Sequence, residues 1–141
     1  MAKCIMHLED NEDHARLIDA YLRSEGYDVI EARSTLDARR LFTNAVQNGV
    51  PIIDGLLADL KMKDPLGPIP DLESTEVGVW FLYWLRQQPQ FAELPIAVLS
   101  AHTEDARMPG WKHLLRIREV VLKPAVTRLL GAAVLNTFGR P

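Results

Sequence analysis

The chain has 141 residues, of which 48% are hydrophobic and 25% are charged, and its formal net charge is -3. These values are typical of a single globular domain that buries a core without disulfides or metals, and the negative charge gives no general attraction to nucleic acid. The one cysteine, Cys4, excludes an internal disulfide, so we expect a small buried hydrophobic side chain there and a reducing compartment. The longest apolar run, residues 77–85, is far shorter than the roughly 20 residues that a membrane span needs. We therefore expect a cytoplasmic protein that binds neither membranes nor nucleic acid directly.

Strands and helices alternate through the first half of the chain. Strands are predicted at residues 3–8 and 27–32, and Gly26 is expected to close the helix between them. The apolar face of that helix comprises Leu17, Ile18, Tyr21 and Leu22. Ser34 is the predicted N-cap of a second helix, which ends at Gly49. Its apolar positions at helical spacing are Leu36, Leu41, Phe42, Ala45 and Val46.

The same alternation continues in the second half. Further strands are predicted at residues 52–59, 94–100 and 119–123, and a third helix at residues 76–88. The closing helix has an apolar stripe of Val126, Leu129, Leu130, Ala133 and Val134. Nearly continuous apolar strands alternating with helices indicate an α/β fold, in which a parallel sheet is covered by helices on both faces.

Four short polar motifs follow the C-terminal ends of predicted strands. They comprise Glu9-Asp10, Asp59, Ser100 and Lys123. In a doubly wound sheet, the ligand crevice lies outside the carboxyl ends of the strands, so we expect these side chains to converge. A carboxylate can attack phosphorus if a cation offsets the added negative charge, and Mg²⁺ prefers such oxygen ligands. The motifs therefore predict a magnesium-dependent aspartyl-phosphate site.

These motifs carry a family resemblance. The opening stretch LEDNEDHARLIDAYLRSEGYDVIEA, followed in order by LLADLKM, VLSA and LKPA, resembles the response regulator receiver domains of two-component signalling over nearly the whole chain. The resemblance implies a flavodoxin-like, doubly wound, five-stranded parallel sheet with the strand order 2-1-3-4-5 and helices on both faces. It also implies one receiver domain over residues 1–141, with no effector domain.

The resemblance assigns the metal ligands. Asp10 and Asp59 would bind Mg²⁺ directly, the backbone carbonyl of Lys61 would be a third ligand, and Glu9 would act through a water molecule.

The resemblance also assigns the groups that handle phosphate. Asp59 would be the phosphoacceptor, Lys123 would neutralise one phosphoryl oxygen, and Ser100 would hydrogen-bond another. A cis Lys123-Pro124 bond is expected to aim the lysine.

The implied function is phosphoacceptor signalling. A histidine kinase or a histidine phosphotransfer protein would donate the phosphoryl group to Asp59, and a downstream protein partner would read the change. The domain could also act as a relay intermediate or form a homodimer, and it would catalyse only its own phosphorylation and dephosphorylation. The alternative is a receiver-like adaptor or dimerisation module that acts largely without phosphorylation. A hydrolase is the weakest option, because the related phosphohydrolases have an acid where this chain has Lys61.

Each site residue also has an ordinary structural explanation. Asp59 could cap a turn, Glu9 and Asp10 could cap the first helix, and a small hydroxyl residue such as Ser100 is common at a strand end. A loop histidine such as His102, two residues after Ser100, is more often simply exposed to solvent. The functional interpretation depends on all four motifs occurring in order.

Several features depart from the family pattern. The connection over residues 61–75 is longer than usual and contains several prolines, which predicts a structureless lid or binding loop. Trp80, Tyr83 and Trp84 fall on the outer side of the third helix, where they could form a docking or self-association surface or be covered by that loop. Val120 stands where the family has an aromatic switch residue, and it is too short and stiff to replace one.

The fourth helix is also unusual. Pro109-Gly110 interrupts its pattern, because a proline within a helix removes a hydrogen bond. We expect a short or irregular element there.

Overall fold

The protein structure is a computed structural model that describes residues 2–64, 66–70, 72–101, 105–123 and 127–141. Within these residues the strands are β1 (Cys4–Leu8), β2 (Asp28–Ala32), β3 (Gly55–Asp59), β4 (Met62–Lys63), β5 (Glu73–Ser74), β6 (Ile96–Ser100) and β7 (Glu119–Leu122). The α-helices are α1 (Glu12–Ser24), α2 (Thr35–Asn48), α3 (Thr75–Arg86), α4 (Met108–Leu114) and α5 (Thr127–Phe138). A short 3₁₀ helix occupies Pro89–Phe91.

The main sheet has five parallel strands in the order β2-β1-β3-β6-β7. This is the predicted 2-1-3-4-5 order once the two-residue strands β4 and β5 are set aside. The order reverses between β1 and β3, and the register places Leu8 beside Ala58 and Asp59 beside Leu99. The acidic residues at the ends of β1 and β3 therefore lie at the switch point of the sheet, where ligands bind in such folds.

Two hydrophobic cores lie on opposite faces of the sheet. Every residue of β3 and β6 is buried, because helices cover both faces. One core includes Phe42 of α2 and Phe81 of α3. The other includes Leu22 of α1 and Leu130 of α5.

Sequence signals for the helix ends hold better than those for the buried faces. Ser34 caps α2 by accepting a hydrogen bond from the Asp37 N–H, and Gly49 follows the helix with a φ of 74°. By contrast, Leu17 and Leu129 are 68% and 58% exposed, so their placement on core faces was wrong. Leu36 and Val46 of α2 are also exposed, at 41% and 48%, so they too were wrongly placed on a core face. These helices carry more apolar residues than the narrow stripe that contacts the sheet, and periodicity alone does not centre that stripe.

The 61–75 connection is not structureless, so that prediction was wrong. Met62 and Lys63 pair in antiparallel fashion with Ser74 and Glu73. The pairing forms because α3 begins directly after β5 and the Gly78 N–H donates to the Leu60 carbonyl, which brings the two ends of the connection together.

The start of α4 and the burial of Cys4 also differ from expectation. Pro109 lies in the first turn of α4, where its missing N–H would have no partner in the helix, so the proline does not interrupt the helix. The expected short element is nevertheless present, since α4 has only 7 residues. Cys4 is half-buried and not fully enclosed.

The predicted cis bond before Pro124 lies outside the described residues, as does His102.

Among the described helices, none is both long enough and apolar enough to cross a membrane.

Candidate functional site

Three carboxylates meet at the carboxyl edge of the sheet. One side-chain oxygen from each of Glu9, Asp10 and Asp59 lies within 4.8 Å of the other two. Glu9 and Asp59 are buried, and Asp10 is half-buried. They converge because β1 and β3 are neighbouring parallel strands that end at the same level.

Lys123 joins two of these carboxylates. Its Nζ lies 2.6 Å from Glu9 Oε1 and 2.6 Å from Asp59 Oδ2. The lysine follows β7, and its backbone N–H donates to the Ser100 carbonyl at the end of β6. The parallel pairing of β6 and β7 thus carries the ammonium group into the acidic cluster. The sequence predicted this convergence, but the contact between Lys123 and Glu9 was not foreseen.

Ser100 is buried at the end of β6, beside the lysine-bearing strand. Its hydroxyl role toward phosphate stays a prediction, as does the use of the Lys61 carbonyl as a metal ligand.

His14 is a site residue that the sequence analysis missed. Its Nδ1 lies 2.5 Å from Glu9 Oε1, the same oxygen that Lys123 contacts. The residue is placed by α1, whose N-cap is Asn11, and the Asn11 side chain accepts a hydrogen bond from the His14 N–H at 2.9 Å. Neither Glu9 nor Asp10 caps this helix. The only available signal was a histidine in the first turn after the acidic pair, which is weak on its own.

Backbone amides from the 61–75 segment complete the site. The Lys61 N–H donates to Asp59 Oδ1 at 3.1 Å, and the Lys63 N–H donates to Asp10 Oδ2 at 3.0 Å. The β4–β5 pair is therefore attached to the acidic cluster by main-chain hydrogen bonds.

The two buried carboxylates of the cluster have pKa values shifted in opposite directions. Burial raises the pKa of Asp59 to about 7, the negative charge of Glu9 adds to this, and the Lys123 hydrogen bond opposes it. Burial also disfavours charged Glu9, but hydrogen bonds from Lys123 and His14 outweigh it and lower its pKa to about 2. The pKa of Lys123 is raised, because its two carboxylate partners outweigh its burial. The Lys123 ammonium group therefore forms ion pairs with both Glu9 and Asp59.

The donor set fits Mg²⁺. Carboxylate oxygens are the ligands that this cation prefers, and it commonly binds through one or two of them together with waters and phosphate oxygens. Asp10 and Asp59 could supply direct ligands, and the more deeply buried Glu9, already held by Lys123 and His14, suits a contact through water.

Comparison with known proteins bears on the fold. No protein-family model matches the chain, and no curated protein matches it. Several solved structures do match the chain along nearly its whole length. A sensor protein from Polaromonas sp. JS666 is 23% identical with a TM-score of 0.75, covering 96% of this chain and 95% of that one. A response regulator receiver domain protein from Clostridium thermocellum is 22% identical with a TM-score of 0.72, covering 98% and 95%.

A third structure agrees with these two. The non-phosphorylated HemR receiver domain from Leptospira biflexa is 19% identical with a TM-score of 0.74, covering 99% of this chain and 98% of that one. At such identities the likeness establishes the fold. The resemblance noted in the sequence is thereby confirmed for the architecture, and the chain has the fold of response regulator receiver domains.

Proposed function

We propose that this chain is a phosphoacceptor signalling domain, in which Asp59 receives a phosphoryl group from a histidine kinase or a histidine phosphotransfer protein. The observation that carries the proposal is the placement of Asp59. It ends a fully buried strand at the switch point of the sheet, with Lys123 at one carboxylate oxygen and the Lys61 N–H at the other. We further propose that the domain works in the cytoplasm, as its single cysteine and short apolar runs predict.

The proposed transfer is a single displacement at phosphorus. An Asp59 oxygen attacks the phosphorus of a phosphohistidine, an O–P bond forms, and the P–N bond breaks. The imidazole nitrogen leaves with the electron pair of that bond, and the product is an acyl phosphate on Asp59. Mg²⁺ held by Asp10 and Asp59 would neutralise the incoming phosphoryl charge.

The residues of this chain then hold the product. Lys123 exchanges its contact with Asp59 Oδ2 for a phosphoryl oxygen, and Ser100 donates its hydroxyl hydrogen to another. In this scheme the domain is no enzyme toward other substrates, because the group that accepts the phosphoryl is its own Asp59.

Intact-mass measurement tests the proposal. Incubation with acetyl phosphate and Mg²⁺ should add one phosphoryl group to the wild type and none to Asp59→Asn. The matched control is Asp54→Asn, which changes an exposed aspartate just before the same strand and should still be modified. Lys123→Ala should retain Mg²⁺ binding but lose any structural response. Folded wild type that gains no mass under saturating donor would contradict the proposal.

A second candidate, the adaptor that acts largely without phosphorylation, is favoured by one observation. Trp80 is 70% exposed and Tyr83 is 46% exposed, which is unusual for large aromatic rings unless a partner covers them. Failure of Asp59 to accept phosphate would favour this alternative.

A further inference from the structure

An exposed apolar surface extends from the β4–β5 connection onto α3. Its members Leu66, Ile69, Leu72, Trp80 and Tyr83 are 78%, 61%, 57%, 70% and 46% exposed. We refer to these five residues as the aromatic face. Single exposed apolar residues are ordinary, but Leu66, Trp80 and Tyr83 also line one groove, and an exposed apolar group of this kind marks an interaction surface.

A groove of about 470 Å³ between α2 and α3 lies beside this face. The Trp80 and Tyr83 rings line it edge to face, with centroids 6.1 Å apart and an interplanar angle of 84°. Trp84 also lines the groove and is half-buried, with the Arg39 guanidinium 4.5 Å from its ring centroid. The groove is therefore walled by aromatic rings, which suit apolar and proline-rich segments.

The segment at residues 66–70 does not cover the rings of its own chain. Its base is held by the β4–β5 pairing, and Trp80 stays 70% exposed even though Leu66 reaches the groove. The exposure of Trp80 contradicts the alternative in which this loop encloses the rings. The segment itself reads Leu-Gly-Pro-Ile-Pro and bears no charged side chain. The same face thus presents both an apolar, proline-containing segment and an aromatic groove.

The charges of the groove are also self-complementary. Arg39 and Asp64 both line it, and neither forms an ion pair within the part of the chain that the structure describes. In a two-fold interface, residue i of one copy meets residue j of the other, and j meets i. An arginine and an aspartate on one face can then pair twice, once in each direction.

We propose that the aromatic face is a two-fold dimer interface, in which residues 66–70 of each copy enter the α2–α3 groove of the other. Arg39 of one copy pairs with Asp64 of the second copy. The proposal goes beyond phosphoacceptance and does not depend on it, because none of these side chains belongs to the acidic site.

Sedimentation velocity across a concentration series tests the interface. The wild type should dimerise, and Trp80→Glu should weaken the dimer at least about thirtyfold, as expected for an aromatic anchor at an interface centre. The matched controls are Leu17→Glu and Leu129→Glu, which change similarly exposed leucines on α1 and α5 and should leave the dimer unchanged. Circular dichroism confirms that each variant folds.

Charge reversal tests the pairing itself. Arg39→Glu and Asp64→Lys should each weaken self-association at least about tenfold, because like charges then face one another twice. Mixed in equal amounts, the two variants should form a heterodimer of near wild-type affinity, since both pairs become attractive again. Arg39 also covers Trp84, and Asp64 accepts the Leu66 N–H, so each variant alone loses an internal contact. Only recovery on mixing is specific to the interface.

Three outcomes would overturn the proposal. These are a wild type that remains monomeric at high micromolar concentration, a dimer that is weakened equally by Leu129→Glu, and variants that do not recover on mixing. A monomeric wild type that binds a proline-rich peptide in the groove would assign the face to a different occupant.

Discussion

At the scale of single residues, the acidic site concentrates more negative charge than the ammonium group of Lys123 offsets. Glu9 and Asp59 are both buried and share Lys123 Nζ. Glu9 has a second donor in His14, whereas the second donor to Asp59 is a neutral backbone amide. Asp59 is therefore the less well compensated carboxylate, and a cation bound beside it would stabilise its ionised form.

This imbalance predicts a pH dependence of stability. Asp59 has a folded-state pKa raised from 3.8 to about 7, so between these values the folded protein holds a proton more tightly than the unfolded chain does. Stability should therefore fall as pH rises from 6 to 8 without Mg²⁺, by about 1 kcal/mol from this group. Glu9 has the opposite sign, because its lowered pKa gives stability that is lost only as pH falls from 4.5 through about 2.

Urea unfolding at pH 6 and pH 8 measures this effect. In Asp59→Asn the contribution should vanish, so the difference between the two pH values should shrink, while Asp54→Asn should retain the wild-type difference. A pH difference that Asp59→Asn leaves untouched would show that Asp59 is ionised throughout this range.

At the scale of elements, the close approach of α3 to the end of β3 positions the site. The Gly78 N–H donates to the Leu60 carbonyl at 3.0 Å, directly after Asp59. A Cβ atom on Gly78 would lie 2.3 Å from that carbonyl oxygen and 2.4 Å from the Leu60 Cα, which are backbone atoms that cannot turn aside. Only glycine allows this contact.

Gly78→Ala should consequently destabilise the protein by about 1–3 kcal/mol, in the range of overpacked buried sites. Gly110→Ala is the matched control, because it also lies in a helix but has no atom within 4 Å of its added Cβ. That change should be neutral or stabilise by up to about 1 kcal/mol, since alanine is the better helix former. Thermal or urea unfolding compares the two variants. Equal effects would mean that α3 moves freely away from β3.

At the scale of the whole molecule, two segments could transmit a structural change at Asp59 to the protein surface. One is the β4–β5 pair, whose neighbouring amides bond Asp59 and Asp10 directly. The other is the short helix α4, which follows β6 and its terminal Ser100. Val120 is partly buried against the core and offers no long side chain to connect β7 with α4. The direct hydrogen bonds favour the first route.

Amide hydrogen exchange with and without a phosphoryl mimic distinguishes these routes. We expect the larger change in protection at residues 61–75, because the Lys61 and Lys63 amides belong to the site, and a smaller change at residues 103–118. The Asp59→Asn variant treated in the same way is the control. If neither segment responds while Asp59 is occupied, the adaptor function becomes the better explanation.

The sequence by itself determined the architecture and most of the acidic site. Apolar strands alternating with helices leave few arrangements other than a parallel sheet covered on both sides, and the carboxyl ends of such strands share one edge. Residues at or just beyond the strand ends, such as Asp59 and Glu9, could therefore be placed near one another from the sequence. Local signals such as the Ser34 cap and Gly49 were equally readable, because their partners lie within four residues.

Only the tertiary structure decided the contacts between residues that are distant in the sequence. Leu17 and Leu129 looked like core residues until the orientation of each helix was fixed by packing against the sheet. Arg86 is buried, and its guanidinium donates hydrogen bonds to the carbonyls of Leu115, Phe91 and Arg116. No local sequence pattern predicts these contacts. The bridge from Lys123 to Glu9 and the groove beside Trp80 arise in the same way. The stability of these contacts depends on which side chains from distant parts of the sequence come together in the fold. Periodicity shows only which side of a single helix or strand is apolar and which is polar.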